Sequence, residues 1–243
     1  NSVISVEPEA FRGCSGLKSV TLSSSATLGY GAFNGCSSLE CIYSRIPAAT
    51  LFSIGWDTFN YVDKNNCVLY VPLGSVETYM ATGGWDKFVN IVEYSSEVTE
   101  VTIVISDYGC GTYCSQYALD FSNVEGLKAY NAIGYKPSTQ TVTLARVMSA
   151  SACQGVFVKG EPGEYVVPVI DVCSDHTLNM LVGTIVNKAI NSTAGDMSNY
   201  KLTVVEGDTV PKFYPFMDET VFSANKAYLQ IPTAWLPATA QKS

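Results

Sequence analysis

The sequence holds a single histidine in 243 residues. That excludes every metal site built from several imidazoles and leaves room for at most one histidine-dependent catalytic centre. Charge is scarce as well. Asp, Glu, Lys and Arg make up 15% of the chain, below the usual ~25%. Basic residues are the scarcer sign, 14 against 22 acidic, for a net charge of −8. Nucleic acids and anionic membranes are bound by clustered Lys and Arg, so this balance argues against both. No run approaches the ~18 apolar residues that a membrane-spanning helix needs. Asn1 to Ile4 carry neither a basic nor an apolar leader. These first residues read as the middle of a repeat, so the expectation is an upstream portion with a signal or lipoprotein segment. G-x-S-x-G and G-x-x-x-x-G-K do not occur, which removes the nucleophile elbow and the phosphate loop.

What is present is enough apolar chain to fold. Apolar residues reach 47%, and the length suits two domains. Eight cysteines stand at positions 14, 36, 41, 67, 110, 114, 153 and 173. Their even number invites a disulfide reading, but a chain of this size does not need staples, so spacing has to decide.

The strongest pattern is a repeat. Val6 to Leu17 and Leu28 to Leu39 align at an offset of 22, sharing Ala-Phe, Gly-Cys-Ser and a closing Leu. Leu17-x-x-Val20-x-Leu22 continues as Leu39-x-x-Ile42-x-Ser44. A degenerate third copy, Ile54-Gly55-Trp56-Asp57-Thr58-Phe59, follows at an offset of 26, with Leu69-x-Val71 after it. L-x-x-L-x-L places one short strand per coil with its aliphatics inward, Ala-Phe closes the opposite side, and Gly-Cys turns the chain. A single coil cannot bury its own face, so the coils stack as a solenoid. Phe11 and Phe33 are expected in the core. Cys14 and Cys36 are expected buried and reduced, as small apolar residues of the ladder.

Strand alternation then assigns the outer face. It exposes Ser19 and Thr21 in one coil, Tyr43 in the next and Tyr70 in the third, with Lys18 and Glu40 in solvent where the strands begin. Tyr43 and Tyr70 are expected side by side as an exposed aromatic pair. The same alignment puts Cys41 and Cys67 on neighbouring strands about 4.8 Å apart. A Cys41–Cys67 disulfide fits that spacing, whereas strict alternation aims the two side chains at opposite faces, and free thiols are the other outcome.

The segments "EAFRGCSGLKSVTL" and "GAFNGCSSLECIY" resemble the BspA-like leucine-rich repeats of anaerobic gut and oral bacteria. "CVLYVPLGSVETYMATGGWDKFVNIVE" is similar to the terminal repeat of those proteins, a strand followed by a short capping helix and a W-x-x-F-x-x-I tail. Trp85, Phe88 and Ile91 recur at helical spacing and are expected to cover the open end. The resemblance spans residues 1–94 and implies a cell-surface protein that meets host proteins, matrix or other bacteria, in an oxidising compartment.

After the linker Tyr94 to Glu97 the repeat stops. Short β-type runs follow at Val101–Ile105, Gly126–Tyr135, Val142–Val147, Val156–Lys159, Tyr165–Ile170, Tyr200–Val205, Phe213–Phe216 and Ala227–Ile231, separated by turns. This reads as an all-β sandwich over residues 101–243, with one short helix expected at Leu178–Ile190. "TYCSQYALDFS", "GVFVKGEPGEYVVPV" and "ANKAYLQIP" resemble the β module that follows such repeats in the same bacteria, which carries no activity over. The fold class is therefore mostly β with some helix (α+β): a short leucine-rich repeat solenoid with a capping helix, then a sandwich-like domain.

Catalytic chemistry finds little support. His176, in Ser174-Asp175-His176-Thr177, reads as a turn residue. Cys110 and Cys114 read as a local disulfide or as buried thiols, a zinc site with Cys153 and Cys173 being the remote alternative. Asp63-Lys64-Asn65-Asn66 reads as a turn rather than a calcium loop. No cofactor and no metal is called for. The reading is a monomeric, extracellular, non-enzymatic adhesion protein presenting Lys18, Ser19, Thr21, Glu40, Tyr43 and Tyr70 to a protein or glycan. The alternative is a non-catalytic targeting or spacer part of a secreted glycan- or protein-degrading enzyme.

Overall fold

In the computed structural model, residues 4–95, 97–170, 178–205, 211–217 and 220–236 are described. The chain divides into two compact units, Asn1–Glu97 and Val98–Ser243. His176 and Cys173 lie outside the described residues.

The first unit is built of parallel strands: β1 (Ser5–Val6), β2 (Ser19–Leu22), β3 (Thr27–Leu28), β4 (Cys41–Ser44), β5 (Val68–Pro72) and β6 (Asn90–Tyr94), with helix α1 (Val76–Ala81) between the last two. β2, β4, β5 and β6 form one sheet in that order, and β1 pairs with β3 in another. The register follows the repeat: Val20 lies beside Ile42, Ile42 beside Leu69, and Leu69 beside Ile91. The opposite side of each coil is laddered too. Phe11 N–H donates to the Ala32 carbonyl and Gly13 N–H to that of Asn34, while Phe33 and Gly35 donate to Thr58 and Asn60. Each coil thus satisfies the backbone of the one before it, which a lone coil cannot do.

Between the two ladders runs the apolar core. Phe11 stacks on Phe33 with centroids 5.2 Å apart, and Phe33 on Phe59 at 5.3 Å. Trp85 and Phe88 then close on Phe59 at 5.8 and 5.5 Å. Trp85 is fully buried and donates its indole N–H to the Phe52 carbonyl at 2.9 Å. The cap departs from the expected helical tail in one respect. Trp85–Lys87 is a single 3-10 turn and Ile91 belongs to β6, because the sheet edge at β5 offers a complete backbone ladder. Two further expectations are corrected at the other end. Phe11 is 40% exposed and Cys14 is exposed, because among the described residues their coil packs against a neighbour on one side only.

The second unit is antiparallel throughout. Its strands are β7 (Glu100–Ile105), β8 (Cys110–Cys114), β9 (Ala118–Asp120), β10 (Lys128–Lys136), β11 (Thr141–Val147), β12 (Ser149–Ala150), β13 (Gly155–Lys159), β14 (Gly163–Ile170), β15 (Leu181–Thr184), β16 (Lys188–Ile190), β17 (Thr193–Ala194), β18 (Met197–Thr203), β19 (Lys212–Pro215), β20 (Thr220–Phe222) and β21 (Lys226–Pro232). The sheets β11-β10-β13-β8 and β12-β9-β14-β7 face each other. They enclose Ile103, Ile105, Leu119, Phe121, Leu127, Val156, Val158 and Val167. Alternation is clean along β7: Ile103 and Ile105 are buried while Val104 is exposed.

The expected sandwich proves to be only the first two layers. The other face of β10 and β13 supplies Ala132 and Phe157 to a second core with Leu181, Leu229 and Ile231. A third sheet, β15-β21-β18-β17 with β19 on β18, covers it. The helix expected at Leu178–Ile190 is instead strands β15 and β16. Asn179 holds this stretch extended, its side-chain oxygen accepting from Ala132 N–H and its amide donating to the Gly155 carbonyl. Gly183 confirms how tightly β15 is pressed down, since a Cβ there would stand 2.4 Å from Cys114 Sγ.

The aromatic stack generates a stability prediction. Phe33 has rings on both sides and no exposure, so Phe33→Ala should cost about 3–5 kcal/mol. Denaturant unfolding measures it, and hydrogen exchange should place the loss in residues 4–95. A cost under about 1 kcal/mol would show that the stack does not hold the coils.

Candidate binding surface of the repeat unit

The strand side of the repeat unit differs from expectation at its centre. Tyr43 and Tyr70 do lie side by side, with centroids 4.5 Å apart and planes 10° from parallel. Both are buried, however, at 8% and 0% exposure. They are not members of the coil core, which takes Ile42 and Leu69 from the opposite face of the same strands. Tyr94 meets Tyr43 edge-on at 6.0 Å. Cys41 and Val68, on the same side as the tyrosines, are also buried. The exposed aromatic pair is therefore not formed. Alternation fixed which side these rings occupy, but two tyrosines beside Cys41 and Val68 make an apolar stripe that folding removes from water.

The remaining residues read from the strands stay nearer solvent. Thr21 is exposed, and Ser19 is half-buried. Lys18 Nζ reaches Glu40 Oε1 at 2.6 Å across two coils. At this exposure such a pair contributes little stability, but it fixes the side chains where the strands begin.

The cysteine expectation is corrected too. Cys41 is disulfide-bonded, whereas Cys67 is a free thiol, so no Cys41–Cys67 bridge exists. The register explains this. Cys41 pairs with Val68, not Cys67, so the two cysteines lie on opposite faces and Cys67 belongs to the coil core. Burial, with the Glu40 and Asp63 carboxylates nearby, pushes the Cys67 thiol up to about 12. Cys14 and Cys36 are free thiols, and Cys36 Sγ donates to the Phe11 carbonyl at 3.1 Å. Cys153 is disulfide-bonded. Cys110 and Cys114 are thiols, not disulfide-bonded. They end the same five-residue strand, and at ~3.3 Å per residue their Cα atoms are too far apart to bridge. Asp63 to Asn66 forms the expected turn, with the Asp63 carboxylate accepting from Asn65 N–H and the Asn66 amide.

On the side of the coils away from the strands, three aromatic side chains stand in solvent: Tyr30 at 64%, Trp56 at 78% and Tyr61 at 74% exposure. Tyr30 and Trp56 hold the same place in successive coils, three residues before Phe33 and Phe59. Tyr61 holds the place that is glycine in the two earlier coils. Gly13, Gly35 and Tyr61 have φ of 73°, 80° and 62°. Glycine adopts this left-handed backbone freely, whereas a bulky side chain is strained there. The three aromatics were missed because the repeat was read for its inward residues. Extending the offset of 26 from Phe33–Phe59 to Gly35–Tyr61 carries the signal.

The family comparison fits this geometry. A family model described as the BspA type leucine rich repeat region (6 copies) matches residues 1–80. Residues 1–80 are a BspA-type leucine-rich repeat region. No curated protein and no solved structure matches the chain. The matched stretch of this BspA-type region contains every residue of the coil stack from Phe11 to Phe59 and ends inside α1.

The thiols give a direct chemical check. Alkylation of the native chain without reductant should label Cys14 and spare Cys36 and Cys67. Adding denaturant should release Cys67, and Cys41 should react only after reduction. The Cys67 thiol is displaced upward from its ordinary value of 9. The unfolded chain therefore loses this proton first, and stability present below pH ~9 should decline as pH rises toward 12. Cys67→Ala should flatten that decline, and a linked peptide containing Cys41 and Cys67 would contradict the register.

Proposed function

We propose that the chain is an extracellular, non-catalytic binding protein. Its solenoid engages a protein or glycan through the ridge of Tyr30, Trp56 and Tyr61. The observation that carries this reading is Tyr61, a large ring placed in solvent on a backbone that its neighbours build with glycine. Strain kept at an exposed position stabilises nothing in the fold and marks a site held for contact. Tyr and Trp supply large area at small entropic cost, and they dominate interface energetics. Their flat faces suit apolar protein surfaces and the C–H faces of sugar rings alike. Thr21 and the Lys18–Glu40 pair supply a smaller polar surface on the strand side.

Two observations support an extracellular setting. Proteins with BspA-type repeats are typically surface-associated, and disulfide-bonded Cys41 and Cys153 suit an oxidising compartment. Among the described residues no helix is long and apolar enough to cross a membrane.

A glycan array and a panel of immobilised matrix glycoproteins test the reading. Trp56→Ala and Tyr61→Gly should each lower binding at least about tenfold, the range of an interface hot spot. Trp56→Ala should leave stability within about 0.5 kcal/mol. Tyr61→Gly should leave it unchanged or raise it by up to about 1 kcal/mol, since strain is relieved against the entropy of glycine. Binding that survives both substitutions, but falls with Thr21→Arg, would move the site to the strand side.

A further inference from the structure

We propose that Glu9, Asn34 and Asp57 form a divalent-cation site of the calcium class, spanning three coils. The three lie around the point where Gly31 has no side chain. A Cβ at Gly31 would stand 3.5 Å from Glu9 Cγ, 3.7 Å from Asp57 Oδ2 and 3.9 Å from Asn34 Cβ. The repeat itself makes the arrangement. Glu9, Gly31 and Asp57 occupy one place in successive coils, two residues before Phe11, Phe33 and Phe59. Coils joined by parallel ladders repeat at about 4.8 Å. An acid on the first coil and an acid on the third therefore flank a notch left by glycine on the second.

The second, independent observation is Asp57 itself. Its side chain is buried at 2% exposure, and Oδ2 has no hydrogen-bond partner. Buried carboxylates are normally paired, hydrogen-bonded or bound to a metal, because an uncompensated charge out of water is costly. Here the orphaned oxygen faces the glycine notch. Two carboxylates and an amide oxygen are hard donors, which favours calcium or magnesium over softer metals. Calcium tolerates irregular geometry and several ligand types, whereas magnesium demands a near-ideal octahedron. Glu9 is also paired with Arg12, so a cation must compete with the guanidinium for one of its two acids. Two carboxylates under that competition place the affinity in the weak range of extracellular modules, about 10⁻⁴–10⁻³ M.

The full chain, stripped with a chelator, is titrated with calcium chloride by isothermal calorimetry and melted in ~0–10 mM calcium chloride. Magnesium chloride and sodium chloride at matched ionic strength are the controls. The wild type should bind one calcium ion and melt at higher temperature as calcium rises. Asp57→Asn should abolish the calcium response and melt higher than the wild type without metal, since the orphaned charge is gone. Glu9→Gln, at an exposed position that tolerates substitution, should weaken calcium binding at least about tenfold. A wild-type response equal in calcium, magnesium and sodium would overturn the proposal. So would calcium binding retained in Asp57→Asn, or unchanged in Glu9→Gln. None of these outcomes bears on the aromatic ridge, which is read by ligand binding.

Discussion

The first unit depends on one interaction, the face-to-face stacking of Phe11, Phe33 and Phe59 in successive coils. A coil of some 22–26 residues encloses too little apolar surface to fold alone. Placing one ring of each coil on the next gives the Phe33 coil both a floor and a ceiling. The backbone ladders on both sides then follow, because rings stacked at 5.2–5.3 Å bring the peptide groups of adjacent coils within hydrogen-bonding reach. Trp85 and Phe88 end the series by turning their rings across Phe59 instead of along it. That is how a repeating stack stops without leaving an apolar face in water.

The same stacking explains why unusual residues gather on the outside of the coils. Once the rings and ladders fix the backbone, two places in the coil recur in the left-handed conformation, at Glu9 and Gly31 and at Gly13, Gly35 and Tyr61. Most copies meet the left-handed places with glycine, as at Gly13, Gly31 and Gly35. Glu9 and Tyr61 depart from that rule and accept strain, and Asp57 accepts an unpaired buried oxygen. These departures cluster between Glu9 and Tyr61, on the side opposite the strand sheet. A rigid scaffold that tolerates local strain is well placed to carry contact residues, because the stack and not the contact residue holds the shape.

The second unit solves a different packing problem. Its central sheet, β11-β10-β13-β8, carries an apolar core on each face of β10 and β13. Strands there must be apolar or small on alternate residues in both directions, which is why Val156 and Val158 point one way and Phe157 the other. Small residues set the approach of the third sheet. Gly155 faces Ala227, and Gly183 faces Cys114 so closely that no other residue fits. A sequence reader sees Gly183 amid Leu, Val, Thr and Ile and has no means of telling a strand from a short helix. The choice is made by the sheet waiting beneath it and by Asn179, which ties the stretch to β10 and β13.

The sequence by itself determined the repeat, its register and its cap. Phe, Gly and Cys recur at fixed spacing, and the strand centres Val20, Ile42 and Leu69 pair as that spacing requires. Most strands of the second unit were legible for a similar reason, since turn residues bound runs of β-branched and aromatic side chains. Only the tertiary structure decided what covers each face. Alternation assigns Tyr43 and Tyr70 to one side of a sheet, but burial depends on what lies over that side, and no local pattern encodes it. Cys67 missed Cys41 by one residue of register, which on a strand is the difference between opposite faces. Tyr61 aligns with Gly35 in the sequence, but its left-handed φ and the unpartnered Asp57 oxygen belong to the tertiary structure.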